Sequence, residues 1–201
     1  MVWVVGDECI DGSESGMSFK QALFFKELGF NIHDTMIYEK DGIGFPNPKR
    51  YHQSFEYMFI LSKGTPKTVN LIEDRANSLG GDSKKGRWER QKNGETKFRD
   101  KDNYSIKEMG ARWNIWRYAV GYQKTTKAQY AFEHPAMFPE YLAGDHIKSW
   151  SNEGDIVLDP FNGSGTTTKM AKHLNRKYLG IEISPEYIKI AENRLKQEIL
   201  L

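Results

Sequence analysis

Cysteine is almost missing from this sequence. Cys9 stands alone, so no internal disulfide can form, and such usage fits a reducing compartment. Cys9 reads as a small packed residue rather than a nucleophile. Long apolar runs are missing too: none approaches the ~20 residues of a membrane-spanning helix. The opening Met1-Val2-Trp3-Val4-Val5 has no basic flank and is too short for a signal peptide. Metal-ligand spacing is absent, because the five histidines and the one cysteine are dispersed. These absences favour a metal-free cytoplasmic chain with no membrane partner.

Net charge is small as well, at +2, but its distribution is uneven. Lys63 to Lys127 holds 16 basic and 8 acidic residues; the rest holds 13 basic and 19 acidic. A basic block in an acidic frame suggests a polyanion-binding face, against the plainer reading of a solvated lysine-rich insertion. Aromatic residues are interleaved with these charges: Trp88, Phe98, Tyr104, Trp113, Trp116, Tyr118 and Tyr122. Most of them suit a small local core, and one or two suit stacking on bases.

The chain divides into three segments. Residues 1-63 read as strand, helix, strand, strand. Val2 to Val5 is a continuous apolar run, as in a strand buried on both faces. Phe19, Ala22, Leu23 and Leu28 recur near helical spacing, and Gly29 closes that helix. Thr35 to Tyr38 and Phe55 to Leu61 read as strands. Residues 64-130 are polar and irregular. Residues 131-201 are the most regular. Pro139 suits the first position of a helix running to about Trp150. Ile156 to Leu158 is a short buried strand, followed by a glycine-rich loop and a helix around Thr167 to His173. Tyr178 to Ile181 is the next strand. Ser184-Pro185 then opens a helix with Ile188, Ala191, Leu195 and Ile199 on its apolar face.

The stretch with chemical content is Asp159-Pro160-Phe161-Asn162-Gly163-Ser164-Gly165-Thr166-Thr167, which ends a strand and opens a helix. Ligands of open α/β sheets bind beyond the carboxyl ends of strands. Gly163 and Gly165 let a ligand approach the backbone. Thr166 and Thr167 fall where helix N-terminal amides suit a carboxylate. Glu182, at the end of the next strand, resembles the acid that holds ribose hydroxyls in nucleoside-binding units. No lysine follows Gly165, so this is not a phosphate-binding P-loop. Position 168 is threonine, so the dinucleotide fingerprint is incomplete. A nucleoside carrying an amino acid instead of phosphates fits better, which points to S-adenosyl-L-methionine.

This loop resembles the cofactor motif of bacterial and phage DNA methyltransferases that modify exocyclic amino groups. Their permuted β-class carries it near the C-terminus. His134-Pro135-Ala136-Met137-Phe138-Pro139 resembles the motif that precedes it and helps hold the methionine moiety. Val2 to Asp7 is similar to a central strand of the catalytic half, and Phe55 to Gly64 to the hairpin strand before the target-recognition region. The resemblance implies a Rossmann-like class I methyltransferase α/β sheet with an inserted basic target-recognition region (64-130). It makes 1-63 the C-terminal portion of the catalytic half and 131-201 the cofactor half. It implies His134, Phe138, Pro139, Asp159, Pro160, Phe161, Gly163, Ser164, Gly165, Thr166, Thr167, Glu182 and Ile183 as S-adenosyl-L-methionine contacts, and double-stranded DNA as partner.

One family feature is missing. The Asp/Asn/Ser-Pro-Pro-aromatic tetrapeptide, which in the family binds the target amine and stacks on a flipped base, occurs nowhere in this sequence. The expectation is therefore a truncated or split enzyme with an incomplete sheet. It would carry no catalytic residue of its own and would depend on a complementary N-terminal chain or a second copy. Adenine N6 is favoured over cytosine N4 as target, from the resemblance alone. A non-catalytic binding partner of a split enzyme is the alternative. A methyltransferase acting on RNA or a small molecule is a third reading, against which the basic middle and the family order weigh.

Overall fold

The computed structural model describes residues 1–42, 48–77, 87–99, 107–121, 124–126 and 137–196. In chain order the elements are β1 (Val2–Val5), β2 (Cys9–Ile10), β3 (Ser13–Glu14), α1 (Met17–Glu27), β4 (Asn31–Lys40), β5 (Phe55–Ser62), β6 (Arg75–Ala76), β7 (Arg87–Arg90), β8 (Thr96–Arg99), β9 (Met109–Gly110) and β10 (Ile115–Tyr118). They continue with α2 (Glu140–Trp150), β11 (Ile156–Asp159), α3 (Thr166–His173), β12 (Lys177–Gly180) and α4 (Pro185–Lys196). Two compact units result. One comprises Met1–Asn70 with Asn114–Leu201, the other Leu71–Trp113.

The larger unit is built on a four-stranded sheet in the order β1-β5-β4-β10. β5 runs antiparallel to both neighbours, while β10 lies parallel to β4. As an inner strand β5 is apolar on both faces, with Met58, Phe59, Ile60 and Leu61 all buried. One face takes α1, where Ala22 packs with Phe59 and Leu61 among Trp3, Phe25 and Phe30. The Trp3 indole donates to Gln21 Oε1 at 2.8 Å and ties β1 to that helix. α1 ends as the sequence implies. Gly29 has φ +81°, its N–H bonds Lys26 O, and Phe30 N–H bonds Phe25 O, which satisfies the last carbonyls. Its start uses a remote cap: Asp7 Oδ1 accepts from Ser18 N–H at 3.1 Å and from the Ser15 hydroxyl at 2.9 Å. The Ser18 hydroxyl also binds this carboxylate, and that bond is the main reason its pKa is lowered.

Three burial expectations need correction. β1 is half-buried rather than covered on both faces. Phe19, Leu23 and Leu28 of α1 are exposed, with Phe24 beside them, because the helix turns Ser18 and Ala22 to the sheet. Cys9 is exposed rather than packed. Pro139 is also displaced by one position: it is the N-cap of α2, with an extended ψ of 131°, and the helix starts at Glu140.

β11 and β12 form a separate two-stranded parallel sheet, flanked by α3. β11 is not the buried strand its composition suggests, because Ile156 and Leu158 are exposed. Among the described residues, β1 and β11 each have only one strand partner. Both strands line a cleft of ≈ 900 Å³. The smaller unit holds the short β6–β9 pair and the β7–β8 hairpin. Arg112 pairs with Asp74, and Lys107 with Glu73 at 3.0 Å. Among the described residues, no helix is long and apolar enough to cross a membrane.

Opposite α1, the sheet meets α2 through a buried histidine. His146 Nε2 lies 3.1 Å from the Met58 sulfur, its Nδ1 accepts from the Trp150 indole at 3.3 Å, and its ring lies 4.7 Å from that of Trp116. Burial pushes its pKa down to about 4, with Asp145 opposing. The folded state therefore binds fewer protons than the unfolded state between that value and the ordinary one near 6.5. The stability from a neutral His146 is complete above pH ~6.5 and is lost as pH falls towards 4. Denaturant titrations of wild type and His146→Leu should differ by a constant above pH ~6.5. That difference should move by up to about 3 kcal/mol towards pH 4. Curves that stay parallel over the whole range would remove this role.

Candidate functional site at the carboxyl ends of β11 and β12

The loop from Asp159 to Gly165 is held by its own polar groups. Asp159 Oδ1 accepts from Phe161 N–H at 3.0 Å, and Asn162 N–H donates to Ile181 O at 2.9 Å. Gly165 N–H closes a turn on Asn162 O at 2.7 Å. The Thr168 hydroxyl lies 3.0 Å from Asn162 Oδ1. Asn162, which no sequence motif singled out, is thus the post around which the loop turns. Gly180 makes room for it: a Cβ there would come within 2.6 Å of Asn162 Cγ. A polar residue between a strand and a Gly-x-Gly, paired with a threonine six positions on, was the available signal.

Glu182 reaches the same loop from the end of β12. Its Oε2 accepts from Gly163 N–H at 2.7 Å, and its Oε1 from Ile183 and Ser184 N–H, both at 2.9 Å. Acid and glycine loop therefore stand on one side of the sheet, beside a helix N-terminus whose cap residue, Gly165, has no side chain to offer. Phe138, Asp159, Pro160, Phe161, Gly163, Ser164, Thr166, Thr167 and Glu182 all line the ≈ 900 Å³ cleft. The Phe161 ring is 74% exposed and meets Trp3 edge-on with centroids 6.2 Å apart.

Other candidates fall elsewhere. His134 lies outside the described residues. Pro139, Gly165 and Ile183 do not line the cleft. Pro139 is buried as a helix cap, while Ile183 stands 95% exposed next to Glu182. Gly165 is required by helix packing: it has φ +79°, and a Cβ there would sit 2.7 Å from Ala191 Cβ on α4. Among the described residues, no group of His, Cys, Asp or Glu gathers as metal ligands.

Beneath the loop lies a charge cluster that the periodicity of α4 did not reveal. Arg194 is 1% exposed. Its Nη1 donates to Ser164 O and Ser164 Oγ, both at 3.0 Å, and to Thr166 Oγ1 at 2.9 Å. Its Nη2 donates to Glu140 Oε1 at 2.6 Å. That oxygen also accepts from Lys169 Nζ at 2.8 Å and from the Thr126 hydroxyl at 2.6 Å. Burial alone would raise the pKa of Glu140. The bonds from Lys169, Thr126 and Arg194, with the Lys169 charge, outweigh it and hold the carboxyl below its ordinary value. Arg194 Nε has no partner among the described residues. The Ser164 and Thr166 side chains therefore serve this cluster.

A strand, a glycine-rich turn, a helix and a strand-end acid define a nucleoside-binding α/β fold. The chain belongs to the N6/N4 DNA methyltransferase family, whose model, described as DNA methylase, matches residues 1–193. It is 61% identical to the orphan methyltransferase M.BamHII of Bacillus amyloliquefaciens, across 100% of this chain and 76% of that relative. Among solved structures, the PvuII DNA methyltransferase (cytosine-N4-specific) aligns with a TM-score of 0.67 at 17% identity. That alignment covers 100% of this chain and 64% of that one. The M1.HpyAVI–SAM complex aligns with a TM-score of 0.57 at 26% identity, covering 98% of this chain and 74% of that one. The chain thus spans about two thirds to three quarters of these three. The Rossmann-like fold and S-adenosylmethionine as the family's cofactor follow.

Replacing Arg194 with methionine should remove the clamp and leave Glu140, Ser164 and Thr166 without their shared donor. We expect a loss of roughly 3 kcal/mol in urea-induced unfolding, since breaking a buried ion pair strands its partners. A loss below about 1 kcal/mol would show that the cluster contributes little to holding the loop.

Proposed function

We propose that this chain is the cofactor-holding and DNA-binding part of a site-specific DNA methyltransferase. The reaction transfers the methyl group of S-adenosyl-L-methionine to an exocyclic amino group, adenine N6 before cytosine N4. The observation that carries the reading is the hydrogen bond from Gly163 N–H to Glu182, which sets the acid against the glycine loop at the mouth of the cleft.

In this reading the cofactor supplies an electrophilic methyl group, and the residues of this chain bind and orient it. Glu182 takes the ribose hydroxyls in exchange for amide donors. Phe161, exposed at the cleft, covers one face of the adenine, and Ile183, beside Glu182 at its edge, is assigned to the adenine by the family resemblance. The first-turn amides of Thr166 and Thr167 take the carboxylate. His134, Phe138 and Pro139 are assigned to the methionine end by the family resemblance. Cations of the basic block between Lys63 and Lys127 contact DNA phosphates, apart from Lys107, which pairs with Glu73. No residue here is assigned the target amine or the flipped base. Those groups belong to an element that would enter between β1 and β11, brought by a complementary segment or a partner chain. The alternative of a non-catalytic partner chain uses the same cofactor and DNA contacts.

The test is binding of labelled S-adenosyl-L-methionine by equilibrium dialysis, followed by transfer assays on mixed-sequence duplex DNA. Wild type should bind cofactor. Glu182→Ala should weaken binding about tenfold or more, in line with charge-assisted hydrogen bonds of about 1.5–3 kcal/mol. Its circular dichroism spectrum should show that the fold is kept. Transfer should need a separately supplied N-terminal fragment carrying a Pro-Pro-aromatic motif. Failure of wild type to bind would refute the cofactor reading; robust transfer by this chain alone would refute the division of labour.

A further inference from the structure

The reading above leaves open which part of the basic block enters DNA. We propose that the β7–β8 ribbon, Arg87–Arg90 with Thr96–Arg99, is the element that enters the major groove of duplex DNA. This rests on the proposed action on DNA and adds the element that performs it.

Three observations converge on the ribbon. The first is charge. Residues 87–99 carry five basic and two acidic side chains, while the rest of the Leu71–Trp113 unit carries six of each. The net positive charge of that unit therefore sits on the hairpin. The second is exposed aromatic surface. Trp88 and Phe98 are paired across the strands, with ring centroids 5.4 Å apart. They remain 70% and 47% exposed. Large rings left in water at a hairpin whose neighbours are cationic mark a contact surface. The third is shape. The ribbon is its own two-stranded sheet, and an isolated hairpin of this kind is marginal in water. Two strands with their side chains match a groove about 12 Å wide, which admits a β-ribbon and displays the base-edge pattern. A turn at Asn93-Gly94, where Gly94 has φ +88°, leaves the tip narrow.

Strand alternation divides the work. Trp88 and Phe98 share a face with Arg90 and Thr96, and Glu89 and Lys97 form the cross-strand pair on the other. Arg90, Lys92 and Lys97 are all exposed. The aromatic face supplies apolar contact to base edges or sugars. These three cations reach the phosphates on either side.

The experiment titrates fluorescently labelled duplex DNA with the full chain over a range of salt. Three variants accompany wild type: Trp88→Ala/Phe98→Ala, Arg90→Ala/Lys92→Ala/Lys97→Ala, and a control in the same unit, Lys107→Ala. Circular dichroism and cofactor binding, whose residues lie in the other unit, confirm that the variants fold. The aromatic variant should lose about tenfold or more in affinity. The cationic variant should lower the salt-dependence slope by about 2–3, near 0.9 for each phosphate that is no longer neutralised. Lys107→Ala should bind nearly as wild type. Duplex RNA of the same sequence should bind poorly, since its deep, narrow major groove excludes a ribbon. Ribbon variants that bind duplex DNA as wild type does would overturn this inference and leave the methyltransferase reading intact. Equal affinity for duplex RNA would overturn the groove assignment. Wild type that binds cofactor but no DNA would overturn both the ribbon and the DNA-binding part of the proposal.

Discussion

A guanidinium buried on α4 can persist only if its charge is met inside the protein, and this requirement organises the C-terminal part of the larger unit. Arg194 finds Glu140 at the start of α2 and the backbone and hydroxyls of Ser164 and Thr166. Lys169 on α3 joins through the same carboxylate oxygen. One charge cluster thus fixes the relative positions of α2, α3, α4 and the glycine loop. Such clusters add little net stability compared with apolar packing, but they tolerate few alternative arrangements. From the cleft side, Glu182 holds Gly163. The loop is therefore fastened from beneath by a cation and from in front by an anion, and its backbone is set by contacts within the chain.

Much of this was readable in the sequence, because local rules governed it. The stop of α1 at Gly29, the span of α2 to Trp150 and the strand–loop–helix run from Ile156 follow from glycine conformation and hydrophobic periodicity. Arg194 was not readable. A charge at that position reads as solvent-facing, and periodicity drew the apolar stripe of α4 through Ala191, which is buried, and Ile188, which is exposed, and passed over Ile190 and Arg194. Its partner Glu140 lies 54 positions away, beyond the reach of any local rule. Gly165 has a second role that was hidden for a related reason. A glycine beside a ligand loop and a glycine beneath a packed helix look the same in sequence, and only the approach of Ala191 tells them apart.

Apolar composition overstates burial in β11, β12 and α1. Ile156, Leu158 and Leu179 in the two-stranded sheet, and Phe19, Leu23 and Leu28 on α1, have core composition and are exposed. A parallel pair is normally covered on both faces. Composition records what a position is selected to meet, whereas burial records only what the described residues supply. The two disagree along the face and edge of β11.

That disagreement bears on how the proposed chemistry is divided. The two strands that border the cleft each have one partner among the described residues, and their residues line it together with the glycine loop. One added strand between them would pair two open backbone edges and cover Ile156 and Leu158 in a single step. It would also enter beside Asp159 and Phe161, next to the proposed cofactor position. In that arrangement, sheet closure and completion of the transfer site are the same event. In the proposed reading, the residues around Glu182 and Gly163 would hold a cofactor beforehand, because the loop they belong to is fastened to α2, α3 and α4. In the proposed reading, cofactor binding and methyl transfer would be separable properties of the sheet, the first resting on the Arg194 cluster and the second on whatever fills the cleft.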